Sequence, residues 1–126
     1  MSDAERTSSG ARACADLAAA QLAAYNARDT DAFCACFADD VRVLDAEGAL
    51  SLAGMDAFRQ RYHELFTGWE VVGAAVDERL VLEPHVVDAE RWWRRRGHEA
   101  AEGRVLVRYT ARGGQIATVQ FFREGA

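Results

Sequence analysis

Lysine is absent from this chain of 126 residues, proline occurs once and cysteine three times. Each shortage excludes something. All 15 basic residues are arginine, they face 20 acidic residues, and the net charge is −5. A nucleic-acid surface needs clustered cations against the phosphates, so this balance argues against one. The one dense run, Arg94-Arg95-Arg96 with Arg91 nearby, precedes Gly97. It reads as a solvated hairpin tip, with an anionic ligand as the other reading. Cys14, Cys34 and Cys36 lack paired-ligand spacing and read as buried thiols of a reducing, cytoplasmic setting. His63, His85 and His98 fall on separate elements, without the H-x-E or H-x-x-x-H spacing that sets two ligands on one face, so no metal and no cofactor are expected. No stretch approaches the roughly 20 apolar residues of a membrane helix, and nothing resembles a signal peptide.

What is present suits a single packed domain over residues 1–126: half the residues are hydrophobic and 28% are charged. Residues 1–9 are polar and expected to be frayed, with Ser8 or Ser9 as a helix cap. A helix is predicted from Gly10 or Ala11 to Ala27. Leu17, Gln21 and Tyr25 recur at i, i+4 and i+8, which sets one amide in an apolar stripe. Gln21 is either the exposed edge of that stripe or a hydrogen-bonding group directed into a cavity. Asn26, Arg28 and Asp29 end this helix and Thr30 can cap the next, over about residues 31–37, where Phe33 and Phe37 share a face. Ala38-Asp39-Asp40 then stops it.

Val41, Val43 and Asp45 share one face of a strand at residues 41–45. A turn at Ala46-Glu47-Gly48 leads to a second strand at about residues 49–52. Gly54 opens a third helix, closed by Gly68, whose buried face is Phe58, Tyr62, Leu65 and Phe66. Residues 70–82, 86–95, 101–111 and 115–123 read as four strands of a meander, with Pro84 in a connection where it interrupts no ladder. The implied fold class is α+β: a cone-shaped, curved antiparallel sheet with three N-terminal helices enclosing a pocket.

The stretches YNARDTDAF, FADDVRVLD, GMDAFRQRY and GGQIATVQFF resemble the nuclear transport factor 2-like superfamily, which includes the ketosteroid isomerases and the SnoaL-like polyketide cyclases. The resemblance covers nearly the whole chain. It implies that the isomerase's general-base aspartate falls on Asp45 and a supporting tyrosine on Tyr62. It also implies a cavity formed with Tyr25, Phe58, Trp93, Val107, Val119 and Phe121. The isomerase's two oxyanion donors fall on Gln21 and Val107. Val107 cannot donate, and losing one donor costs about 10²–10³ in rate, so steroid isomerisation is disfavoured. Asp45 among apolar neighbours would be desolvated and suited to proton transfer. Its other reading is an exposed aspartate that starts the turn.

Strand 86–95 carries Val87, Ala89, Arg91 and Trp93 on one face and Val86, Asp88, Glu90 and Trp92 on the other. Either face could point inward: the second would bring Glu90 beside Asp45, the first Arg91. The last strand is apolar on both faces, which predicts a homodimer through Ile116, Thr118, Gln120 and Phe122. The functional expectation is a pocket for a small, apolar, polycyclic or keto compound, with isomerisation, cyclisation or dehydration driven by Asp45 and assisted by Tyr62 or Gln21. A non-catalytic ligand-binding or dimerisation module is the rival.

Overall fold

The computed structural model describes residues 12–125. The expected frayed start and its serine cap lie outside them. Among the described residues, three helices, α1 (Cys14–Ala27), α2 (Thr30–Cys34) and α3 (Met55–Gly68), accompany six strands. These are β1 (Phe37–Leu44), β2 (Leu50–Ala53), β3 (Val71–Leu82), β4 (His85–Arg96), β5 (Glu99–Arg112) and β6 (Gln115–Arg123). They form one curved sheet in the order β2-β1-β6-β5-β4-β3. The β3–β6 meander is antiparallel throughout, whereas β1 joins β6 in parallel.

The polar turn after α1 is a set of tethers. Asn26 exchanges two hydrogen bonds with the backbone of Ala74 on β3 (Nδ2 to O 3.0 Å, N to Oδ1 2.8 Å). Arg28 takes the left-handed conformation that ends α1 (φ 55°) and donates to the carbonyls of Trp69 and Glu70. Asp29, rather than the expected Thr30, caps α2 by accepting from the Ala32 N–H at 3.0 Å. α2 is also shorter than expected, because Phe37, Ala38, Asp39 and Asp40 pass into β1. Phe37 still packs on Phe33, with ring centroids 5.0 Å apart.

The N-terminus of α1 has no capping side chain of its own. Glu83, distant in sequence, accepts from the backbone N–H groups of Cys14 (2.8 Å) and Ala15 (3.0 Å). A carboxylate there satisfies orphan donors and the positive end of the helix dipole together. Glu83→Ala should cost about 1 kcal/mol of stability, read from urea unfolding. An unchanged midpoint would mean that water serves those N–H groups equally well.

An aromatic cluster joins the three helices to one another and to Phe37 of β1. Phe33 stacks on Phe58 (5.7 Å, interplanar 2°), meets Phe66 edge-on (5.7 Å, 88°) and lies 4.6 Å from Tyr62. Phe58 is fully buried, and burying such a side chain is worth about 2–3 kcal/mol. Cys14, Cys34 and Cys36 are buried free thiols. Among the described residues, no helix is long and apolar enough to cross a membrane.

Candidate functional site

A cavity of about 650 Å³ opens between α1, α3 and the concave face of the sheet. Alternation along β4 decides its chemistry. Val86, Asp88, Glu90 and Trp92 turn inward: Val86 and Asp88 are fully buried, and Glu90 and Trp92 line the cavity with Arg94. Trp93 lies on the outer face, 39% exposed. It covers Gly73, where an added Cβ would come within 2.4 Å of the indole. Trp93 is therefore no part of the cavity; Trp92 takes that place, laid over Gly103 on β5, its direct cross-strand partner.

Asp45 also lies elsewhere. It is exposed, one residue past β1, and its Oδ1 accepts from the N–H groups of Glu47 (3.0 Å) and Ala49 (2.8 Å). The chain has already turned there, so strand alternation no longer governs where the side chain points. Two local hydrogen bonds hold the carboxylate in the turn. Asp45 is thus the turn-forming aspartate, and the pairing with Glu90 does not arise.

Of the other expected residues, Gln21, Tyr25, Tyr62 and Phe121 line the cavity. Phe58, Val107 and Val119 are buried in the core beside it and not part of its wall. Gln21 is buried, with Nε2 donating to the Ala18 carbonyl at 3.0 Å. This fits the cavity reading of that amide rather than an exposed edge.

Glu90 is the carboxyl group that the geometry singles out. It has no hydrogen-bond or ion-pair partner among the described residues, and desolvation raises its pKa from 4.5 to about 7, with Asp88 adding to the effect and Arg79 opposing it. Asp88 itself is satisfied: its two oxygens accept from Arg79 Nε (2.7 Å) and Nη2 (2.9 Å). Around Glu90 the cavity presents Tyr25, Tyr62 and Tyr109. Their hydroxyls make no hydrogen bond within the described part of the chain. Burial pushes Tyr25 up to about 12 and also raises Tyr62 and Tyr109 well above the ordinary phenol range, with the charge of Glu90 contributing to all three. These phenols are consequently donors, not bases, at neutral pH.

Sequence reasoning left Glu90 and Trp92 on one of two alternative faces and missed Tyr109. Tyr109 lies in register with Val86 and Val119, both inward-facing, so the face of β4 would have located it. Among the described residues, no three His, Cys, Asp or Glu side chains cluster as metal ligands.

A curved sheet with helices packed on its concave face around a cavity defines the cone-shaped α+β class. Residues 18–123 match the SnoaL-like domain family, and the chain belongs to it. Comparison with curated proteins gave no match. Among solved structures, an uncharacterized cystatin-fold protein from Novosphingobium aromaticivorans superposes with a TM-score of 0.79 at 23% identity, over 88% of this chain and 98% of that one. A protein of ketosteroid isomerase-like fold from Catenulispora acidiphila, solved with trimethylamine, gives 0.72 at 19% identity, over 86% and 85%. An LEH-like epoxide hydrolase from M. tuberculosis gives 0.75 at 14% identity, over 86% and 80%. The fold is the nuclear transport factor 2-like cone.

Proposed function

We propose that this protein binds a small, largely apolar carbonyl compound in the cone and moves a proton at the carbon beside the carbonyl, with Glu90 as the base. The observation that carries this reading is the position of Glu90: a desolvated carboxyl group without a partner, opening into the cavity among three tyrosines. Ionised Glu90 takes the C–H proton, and the electron pair moves onto the carbonyl oxygen to form an enolate. A phenol O–H of Tyr25, Tyr62 or Tyr109, or the Gln21 amide, donates to that oxygen. Protonated Glu90 then returns the proton to the same carbon or to a conjugated one, which completes an exchange or an isomerisation. Val107 is buried and offers no donor, so the donors differ in position from those that the steroid isomerase resemblance implies. The epoxide hydrolase among the structural neighbours supports the cone as a place for small-molecule chemistry, without indicating this reaction.

The test is deuterium exchange at the α-carbon of cyclic enones and β-keto compounds. Wild type should catalyse it, Asp45→Asn should behave as wild type, and Glu90→Gln should be inactive. Equal exchange by wild type and Glu90→Gln would sink the assignment. Ligand binding without exchange by either would favour the non-catalytic module.

A homodimer through the outer sheet face is part of the same proposal, on a corrected set of residues. Ile116 is fully buried in the core, because register shifts flank it in both β1–β6 and β5–β6. Gln120 is also covered, its Nε2 donating to the Asp45 carbonyl at 3.0 Å. The outer-face apolar row is instead Ala89, Leu106 and Phe122, paired across β4, β5 and β6, with Leu106 exposed and Ala89 and Phe122 half-buried; Thr118, also half-buried, lies on the same strand beyond Gln120. Leu106 is 47% exposed, and Arg108 on the same face has a buried Nε without an acceptor. Light scattering at micromolar concentration should give the dimer mass, and Leu106→Asp the monomer mass. Monomeric wild type would refute the dimer. The three buried thiols fit a reducing compartment, and a cytoplasmic setting is part of this proposal.

A further inference from the structure

Arg94 turns into the cavity together with Arg96 of the Arg94-Arg95-Arg96 run, on the same face of β4 as Glu90 and Trp92. Its neighbours in the run have partners: Arg95 lies 3.9 Å from Glu70, and Arg96 bonds Glu99 at 2.9 Å. Arg94 has no ion pair or hydrogen bond among the described residues, and its Nε is shut off from water with no acceptor. Two indoles hold it, with the guanidinium carbon 4.8 Å from the Trp69 ring centre and 5.1 Å from that of Trp92. Stacking occupies the flat faces of a guanidinium and leaves its donor edge unspent.

The surroundings strengthen the case. Exposed Arg61, Arg96 and Arg123 join Arg94 in the cavity wall and mark its mouth, where the one exposed carboxylate of the lining is Glu64. The other lining carboxyl is Glu90, deeper along the strand. Arg94 itself is half-buried, and a guanidinium with a buried N–H that meets no acceptor is uncommon unless a ligand supplies one. We infer that Arg94, stacked by Trp69 and Trp92, is the anchor for a carboxylate on the ligand, so that the substrate class is a cyclic or aromatic keto acid. This rests on the cavity being a small-molecule site. The carboxylate lies at the mouth, edge-on to the guanidinium in a bidentate pair, and the ring system runs inward past Trp92. Four residues of extended strand separate the two ends by roughly 13 Å between Cα atoms, which brings the far end of such a molecule to Glu90. Arg94 thereby sets which end of the ligand enters first.

Calorimetric titration with 2-naphthoate and its uncharged isostere 2-naphthamide separates the possibilities. Wild type should bind the carboxylate about 10- to 100-fold more tightly than the amide, the range expected for a charge-assisted hydrogen bond. Arg94→Met should erase that preference and leave naphthamide affinity within about twofold, while Glu90→Gln keeps the preference. Retained naphthamide binding shows that Arg94→Met is folded, and Arg94→Lys, which keeps the charge without the planar fork, should retain only part of the preference. Equal affinity for the two probes in wild type, or an undiminished preference in Arg94→Met, overturns the anchor and leaves the cavity reading standing. Failure of both probes to bind wild type at millimolar concentration overturns the small-molecule reading and the anchor with it.

Discussion

Glu90→Gln should make the protein more stable at pH 8 and leave it nearly unchanged at pH 4.5, while removing proton-transfer turnover. In the unfolded chain this carboxyl titrates near 4.5; in the folded protein it titrates near 7. Between those values the folded state holds a proton that the unfolded state has released. Stability contributed by the neutral acid is therefore fully present below about 4.5 and is lost as pH rises through about 7. One pKa unit corresponds to about 1.4 kcal/mol, and partial solvent access reduces the total, so the expected gain for glutamine at pH 8 is about 2 kcal/mol. Urea unfolding of both proteins across that range is the measurement. A gap between them that does not change with pH would mean that Glu90 is a solvated carboxylate throughout. The rate profile should mirror the stability profile: kcat/KM climbs with pH and levels off above about 7 as the base ionises.

Asp88→Asn carries the largest expected loss of stability. Asp88 is fully buried and accepts both hydrogen bonds of the Arg79 fork, whose side chain is 25% exposed. Asparagine removes the counter-charge and one acceptor, leaving a largely buried guanidinium uncompensated. Breaking such a pair from one side costs about 3–5 kcal/mol, and the residual exposure of Arg79 places this case near 3 kcal/mol. Replacing both partners at once, Arg79→Met with Asp88→Leu, should recover most of that loss, because no charge is then stranded. If the double variant is no more stable than Asp88→Asn, the pair is not the source of the effect. Asp88→Asn should also lower the pKa of Glu90, since the nearby negative charge is removed and the positive charge of Arg79 is left unopposed.

The two tests act on one face of one strand, which shows how closely stability and function are joined here. The inward row of β4 runs from an ion pair, through an unpaired acid, to an indole and an unpaired cation. Asp88 is satisfied by Arg79, so its charge belongs to the scaffold. Glu90 and Arg94 are not satisfied by the protein, so theirs are available to a ligand. In a well-folded chain, unspent polar groups in one cavity are the features that packing alone does not account for.

The sequence by itself determined the element order and the turns. Asn26, Arg28 and Asp29 break a helix, Gly54 opens another, and four alternating segments make a meander, all through forces acting within a few residues. Local spacing also supplied both candidate faces of β4. It could not choose between them, because a period of two has no sign: the inward face is set by which side of the sheet α1 and α3 cover, and that depends on contacts distant in sequence. For the same reason Asp45, placed by alternation in line with Val43, was lost to the turn, where two backbone N–H groups compete for it at close range. Register shifts around Ile116 moved an expected outer residue into the core. The cap on α1 comes from Glu83, a partner that no local pattern connects to Cys14. Tertiary structure alone decided which acid lies in the cavity and which arginine faces it, because desolvation and the absence of a partner are properties of the assembled surroundings and not of the residues themselves.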